Sequence, residues 1–253
     1  MKESLKNIFD FLLENRIYNK ELQTKNYSGI VKPQNSKAEK IVSLLYHIAN
    51  TQSQPKIDNL AEFYKKIYLN IDLLDSFTEF MSVINPDKVE PNNYSGLYSG
   101  MKNQNGWGEK TSALFAKSIF HLHNNEYPNE LKIWSDAPTD LEKNDNFYLP
   151  VDAVIIAIFK EIKQQNWNFK SVNKIINENY SGKDIEVWDD LWFWGFISQI
   201  GTGDGRKMGW NLNKYWNLRE SDKNPKKIAE IKEKSDEFLN ILRESTLHNI
   251  GYK

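Results

Sequence analysis

Apolar residues recur along this chain at intervals of three and four, the period of helices that bury one face. Leu5, Ile8, Phe9, Leu12 and Leu13 form a first stripe. Ile41, Leu44, Leu45 and Ile48 form a second, in a segment that Ser36 is placed to cap, and Leu60, Phe63, Tyr64 and Ile67 form a third. A fourth runs from Leu73 to Ile84 and is expected to stop before Pro86. Ala113, Ala116, Ile119, Phe120 and His123 predict a helix beginning near Gly108, and Val154, Ile155, Ile158 and Phe159 predict another over 151–162. Further helices fit 172–179, 187–200 and 226–245. No run alternates as a strand would, so the expected fold is all-α.

Pro, Asn and Gly concentrate in 19–33, 85–106, 124–146 and 201–209, which are expected to be connections. The tetrapeptide NYSG occurs at 26, 93 and 179. Its unequal spacing argues for shared turn chemistry and against a structural repeat.

Composition narrows the chemistry more than the fold. With 253 residues, 40% hydrophobic and 13% aromatic, the chain can fill one large domain or two small lobes and still spare rings for a binding surface. The absence of cysteine excludes disulfides, thiolate zinc sites, cysteine-held iron–sulfur clusters and a cysteine nucleophile. Of the histidines at 47, 121, 123 and 248, only His121 and His123 are close, and a separation of two turns them to different sides of a helix. No metal site is expected. The opening MKESLKNIFDFLLENR lacks the apolar core of a signal peptide, and the longest apolar run, 153–159, is too short to span a bilayer. An intracellular protein without a membrane partner is expected, which leaves the Asn26-Tyr27-Ser28 sequon unused. The formal net charge of −1 gives no overall attraction to nucleic acid, although a local basic patch would be hidden in the sum.

Within Asn105-Gly-Trp-Gly-Glu-Lys-Thr-Ser-Ala-Leu-Phe115, Lys110 falls in the first turn of its helix, where the dipole disfavours a cation. Gly106 and Gly108 open the backbone just upstream to close approach by a ligand. By itself the segment reads first as ordinary turn chemistry followed by a solvated lysine. Downstream, Tyr148-Leu-Pro-Val-Asp-Ala-Val-Ile155 places Asp152 just after Pro150 at the start of an apolar helix. There an acid stabilises the helix start with no catalysis required.

The order G-x-G-x-K followed by P-V-D before a buried helix resembles the catalytic core of the helix-hairpin-helix/GPD superfamily of DNA glycosylases. The lysine makes it similar to the bifunctional 8-oxoguanine branch, and the step of 42 residues from Lys110 to Asp152 resembles the archaeal type more than the mammalian. The motif similarity covers about 50 residues. The resemblance implies a two-lobed helical bundle, 1–253 acting as one unit with a cleft between lobes and a helix-hairpin-helix near 93–123. It implies excision of an oxidised base, 8-oxoguanine first, followed by elimination at the abasic site, with duplex DNA as partner, a monomer, and no redox or metal cofactor. Lys110 would be the Schiff-base nucleophile, which needs the neutral amine that burial and a nearby helix N-terminus favour. Asp152 would stabilise the charge that develops on the sugar.

Such an enzyme must also hold an extruded base. In Val187-Trp-Asp-Asp-Leu-Trp-Phe-Trp-Gly-Phe196, Asp190 and Trp194 share one helix face, and the spacing resembles base-pocket positions of the archaeal type. Trp192, Phe193 and Trp194 cannot all face one pocket, so some of these rings belong to the core. Gln199 is a third pocket candidate. Arg206 and Lys207, in the glycine-rich 201–207, and Lys102 and Lys117, flanking the Gly106–Gly108 turn, are candidates for the DNA backbone, with solvated side chains as the plain reading. Asp204 lacks the further oxygen ligands of a calcium loop. Two rivals remain: a non-catalytic helix-hairpin-helix DNA binder, and a helical interaction protein without a DNA role.

Overall fold

The computed structural model describes residues 1–87, 89–141, 145–218 and 224–250, with the backbone alone at 204, 218 and 246–250. The side chains of Asp204 and His248 lie outside the described part. The chain is mostly helical, and its contacts divide it into two compact units. One comprises Met1–Leu22, Val151–Asn179 and Glu186–Lys253, and the other Gln23–Pro150 with Tyr180–Ile185.

In chain order the helices are α1 (Lys2–Glu14), α2 (Arg16–Val31), α3 (Lys37–Ala49), α4 (Ile57–Leu69), α5 (Phe77–Ile84), α6 (Tyr94–Lys102), α7 (Glu109–His123), α8 (Ala153–Ile162), α9 (Phe169–Asn179), α10 (Lys183–Val187), α11 (Asp190–Ile197), α12 (Leu212–Leu218) and α13 (Pro225–Ile250). Two-residue strands β1 (Gln199–Ile200) and β2 (Lys207–Met208) pair antiparallel, so the glycine-rich 201–206 is the loop of a small hairpin. Among the described residues, no helix is long and apolar enough to cross a membrane.

The second unit is built around α7, which packs on α6 and α3. Its predicted face is buried throughout, from Ala113 to His123. The α3 and α4 stripes are buried as expected, and Ser36 caps α3 in a capping box with Glu39. The Leu73 to Ile84 stripe is broken. A short 3-10 turn covers Ile71–Leu74, and α5 begins only after Ser76, which accepts from Glu79 N at 3.1 Å. Asp136 takes the next two free N–H groups, of Phe77 and Thr78, at 2.9 Å each.

His121 and His123 do turn apart. His121 Nδ1 lies 3.1 Å from the Tyr27 hydroxyl, while His123 Nδ1 meets Ile119 O at 2.7 Å and its Nε2 accepts from Trp134 N at 3.0 Å. Burial pushes His123 down to about 4, which suits a neutral ring that accepts at Nε2. Among the described residues, no three metal-ligating side chains gather.

In the first unit α8 packs against α11 and α13, and α13 against α1. The four inward positions read from α8 are buried. The α1 stripe is rotated from expectation: Phe11 is buried and Leu13 exposed, because the face follows Leu5, Ile8, Phe11 and Leu12.

Two of the expected connections, 19–33 and 85–106, prove to be partly α-helical. Segment 19–33 lies mostly in α2, which buries Tyr18, Leu22, Tyr27 and Val31 as two pairs spaced by four. The NYSG sequences therefore do three different things. The first lies inside α2. The second starts α6, where Asn93 Oδ1 accepts from Gly96 N at 2.9 Å. The third follows the end of α9, with Gly182 at φ 56°. Local composition was a poor guide where tertiary burial decided the backbone.

Candidate functional site

The turn from Asn103 to Gly108, which contains Gly106, joins α6 to α7. Gly106 has φ 80°, and a Cβ there would lie 2.8 Å from Leu60 Cδ2 and 3.0 Å from Leu60 N. Trp107 is turned inward onto Phe63 and Phe115, with ring centroids 5.3 and 5.9 Å away. Gly108 has ordinary extended backbone and open space around it. Gly106→Ala is therefore expected to cost about 1–3 kcal/mol through strain and the clash with Leu60, while Gly108→Ala should cost less than about 1 kcal/mol. Denaturant melts of the two variants check the difference.

No side chain caps α7. Gly108 has none to offer, and the Thr111 hydroxyl accepts from Gly108 N at 3.0 Å, outside the first turn's own N–H groups. Two glycines thus precede a helix start that keeps its donors free of side-chain caps. Lys110, partly buried in that first turn, reaches across to Thr51 O, 3.4 Å from its Nζ, just past the C-terminus of α3. A carbonyl at a helix C-terminus is a favourable partner for an ammonium. Glu109 adds an acid to the same turn and lies 3.8 Å from Lys102 Nζ, so Lys102 has a local partner. Lys117 is buried, which is not how a lysine meets a DNA phosphate at a surface.

Asp152 belongs to the other unit and is the N-cap of α8. Its Oδ1 accepts from Val154 N at 2.8 Å and Ile155 N at 3.1 Å, and its Oδ2 accepts the Trp192 indole N–H at 3.0 Å. Both oxygens are engaged, and the carboxylate is held in one orientation.

Asp190 and Trp194 share a helix face as the spacing required, but that face is turned into the core. Trp194 is 0% exposed, edge-on to Phe11 and Tyr18 with centroids at 5.1 and 5.5 Å. Asp190 is buried with Glu186, accepts from Asn19 Nδ2 at 2.6 Å, and lies 3.4 Å from Arg16 Nε. Arg16 also pairs with Glu186. Burial, reinforced by the nearby Glu186 charge, pushes the Asp190 carboxyl well above the usual range, against the pull of Arg16 and Asn19. Asp190 Oδ2 is the oxygen that faces Arg16 Nε, and among the described residues Trp194 Nε1 is buried without a hydrogen-bond partner.

Gln199 is also 0% exposed and acts as a strut: its Nε2 donates to Val154 O at 3.0 Å, and its Oε1 accepts from Arg206. Arg206 is thereby committed to Gln199, whereas Lys207 is exposed on β2. The tryptophan that reaches a candidate catalytic group is Trp192. It stacks on Phe196 with centroids 5.0 Å apart at 17°, and Lys214 Nζ lies 5.1 Å from the Phe196 ring. The spacing of four between Trp192 and Phe196 marked them as one face, opposite Trp194, but gave no pointer to Asp152, 40 residues away.

Comparison with protein-family models, with curated proteins and with solved structures finds no match to this chain.

Proposed function

We propose that this chain is a DNA glycosylase with abasic-site lyase activity, acting on duplex DNA that carries an oxidised purine, 8-oxoguanine first. The observation that carries this reading is the start of α7: a positive-φ Gly106, an open Gly108, first-turn N–H groups without a side-chain cap, and a lysine among them. Backbone donors and the helix dipole suit a DNA phosphate, and Lys110 suits attack on the adjoining sugar. In the reaction, the Lys110 nitrogen forms a bond to C1′ as the glycosidic bond breaks, and the base leaves with a proton from the amine. The C1′–O4′ bond of the resulting aminal then breaks, O4′ takes a proton from water, and the iminium so formed acidifies the C2′ hydrogen, whose loss to water expels the 3′ phosphate as the C3′–O bond breaks. In this reading Asp152 is the carboxylate whose charge stabilises the cationic sugar of the first step.

A second reading, a non-catalytic helix-hairpin-helix DNA binder, is favoured by two of the same contacts. Lys110 is tied to Thr51 O, and both oxygens of Asp152 are already engaged, one by the start of α8 and the other by Trp192. Incubation with duplexes carrying 8-oxoguanine separates the two. The enzyme reading predicts release of the free base, with undamaged duplex left intact. Salt-sensitive duplex binding with no base released, persisting in Asp152→Asn, supports the binder instead. Neither binding nor release would leave the chain as a helical interaction protein.

A further inference from the structure

The environment of Asp152 is more constrained than a helix cap requires. A cap needs one acceptor oxygen, and Oδ1 already satisfies both Val154 N and Ile155 N. The second oxygen is held separately, by an indole N–H from a different helix.

The packing of α11 on α8 explains how that indole reaches it. A Cβ at Gly195 would lie 2.3 Å from Ile158 Cδ1 and 2.9 Å from Val154 Cγ1, so the bare glycine lets these α8 side chains pack directly against the α11 backbone. Farther along, Gln199 Nε2 holds Val154 O at 3.0 Å. Trp192 stands one turn before Gly195, and its ring is set by the stack on Phe196. Gly195, Gln199 and Phe196 thus fix an indole whose N–H donates to Asp152 Oδ2.

We infer that Trp192 is a positioning residue for the proposed base-release step: it holds the Asp152 carboxylate in one orientation as the counter-charge to the cationic sugar and keeps its second oxygen from turning away. The inference rests on the glycosylase reading and adds a division of labour to it. With three donors on its two oxygens, Asp152 acts in base release by its charge, and the later imine chemistry of Lys110 on an existing abasic site does not depend on Trp192.

Trp192→Phe tests this, because the ring remains to stack on Phe196 while the N–H is lost. Single-turnover base release from 8-oxoguanine duplex is expected to fall on the order of tenfold to a hundredfold. Duplex affinity and borohydride trapping on a preformed abasic site should stay at the wild-type level, and Trp192→His, which restores a ring N–H, should recover part of the loss. A purely structural role would lower release, affinity and trapping together, and that result overturns the inference, as does release at the wild-type rate in Trp192→Phe. A wild-type protein that neither releases the base nor traps on abasic DNA overturns the glycosylase reading, and this role with it. That outcome is distinct from an active wild type matched by an equally active Trp192→Phe. As a check that needs no activity, the indole N–H resonance of Trp192 should move upfield in Asp152→Asn, and an unmoved resonance also counts against the inference.

Discussion

Replacing Arg16 by methionine is expected to destabilise the protein by about 3 kcal/mol near neutral pH, toward the lower end of the cost of breaking a buried ion pair. Arg16 faces two carboxylates, Glu186 and Asp190, whose side chains are 3% and 5% exposed, while its own is 20% exposed. Methionine preserves much of the apolar stem and removes the cation, so the loss reports mainly on two acids left without it. The partial exposure of Arg16 lets water soften the effect, which is why the lower end applies. The loss should also depend on pH. The folded-state pKa of Asp190 is raised, so between about 3.9, the value for an unfolded aspartate, and its higher folded value, the native state binds more protons than the unfolded chain. Stability from this group therefore falls as pH rises through that window, and without Arg16 the fall should steepen. Urea melts of the wild type and Arg16→Met at pH 5 and pH 8 should show the larger difference at pH 8. Equal differences at the two pH values would mean that the cluster is not electrostatically coupled.

Lys110→Gln is expected to reduce base release by about a thousandfold or more, as removal of a covalent nucleophile does. Glutamine is chosen because its amide can still donate toward Thr51 O, so the link from α7 to the end of α3 survives in kind. Stability should change by less than about 0.5 kcal/mol, as for other substitutions away from the core. The combination is the informative part. A large loss of both activity and stability would assign Lys110 to holding α7 against α3, whereas loss of activity alone assigns it to chemistry. Single-turnover release at saturating enzyme, together with a denaturant melt of the same preparation, gives both readings.

Much of the helical architecture was legible because apolar spacing and caps agree. Ser36 with Glu39 opens α3, and the faces of α4, α7 and α8 are buried at the residues their period named. What the sequence obscured has physical causes. Asn and Gly in 19–33 suggested a loop, yet burial of Tyr18, Leu22, Tyr27 and Val31 outweighs their weak helix propensity, and Gly29 sits where a side chain would meet only open space. In α1, Phe11 displaced Leu13 because both fit a helical stripe, and only the packing partners Trp194 and Phe238 select between them. In the candidate site, the glycine turn and the cap position of Asp152 were readable locally, since each depends on residues within three or four positions. The inward rotation of Trp194, the Arg16 cluster around Asp190 and the Trp192 contact to Asp152 were not. Each depends on which face of α11 meets α8, α1 and α2, and an almost wholly apolar helix such as DLWFWGFI gives the sequence little contrast from which to choose a face.

The central claim is that the amine of Lys110 forms a covalent bond to the sugar of a damaged nucleotide. Sodium borohydride reduction during incubation with 8-oxoguanine duplex, followed by protease digestion and mass mapping of the cross-linked peptide, tests it directly. The account predicts a stable protein–DNA adduct located on Lys110 and missing from Lys110→Gln. An adduct on another residue, or one of undiminished yield in Lys110→Gln, would contradict it.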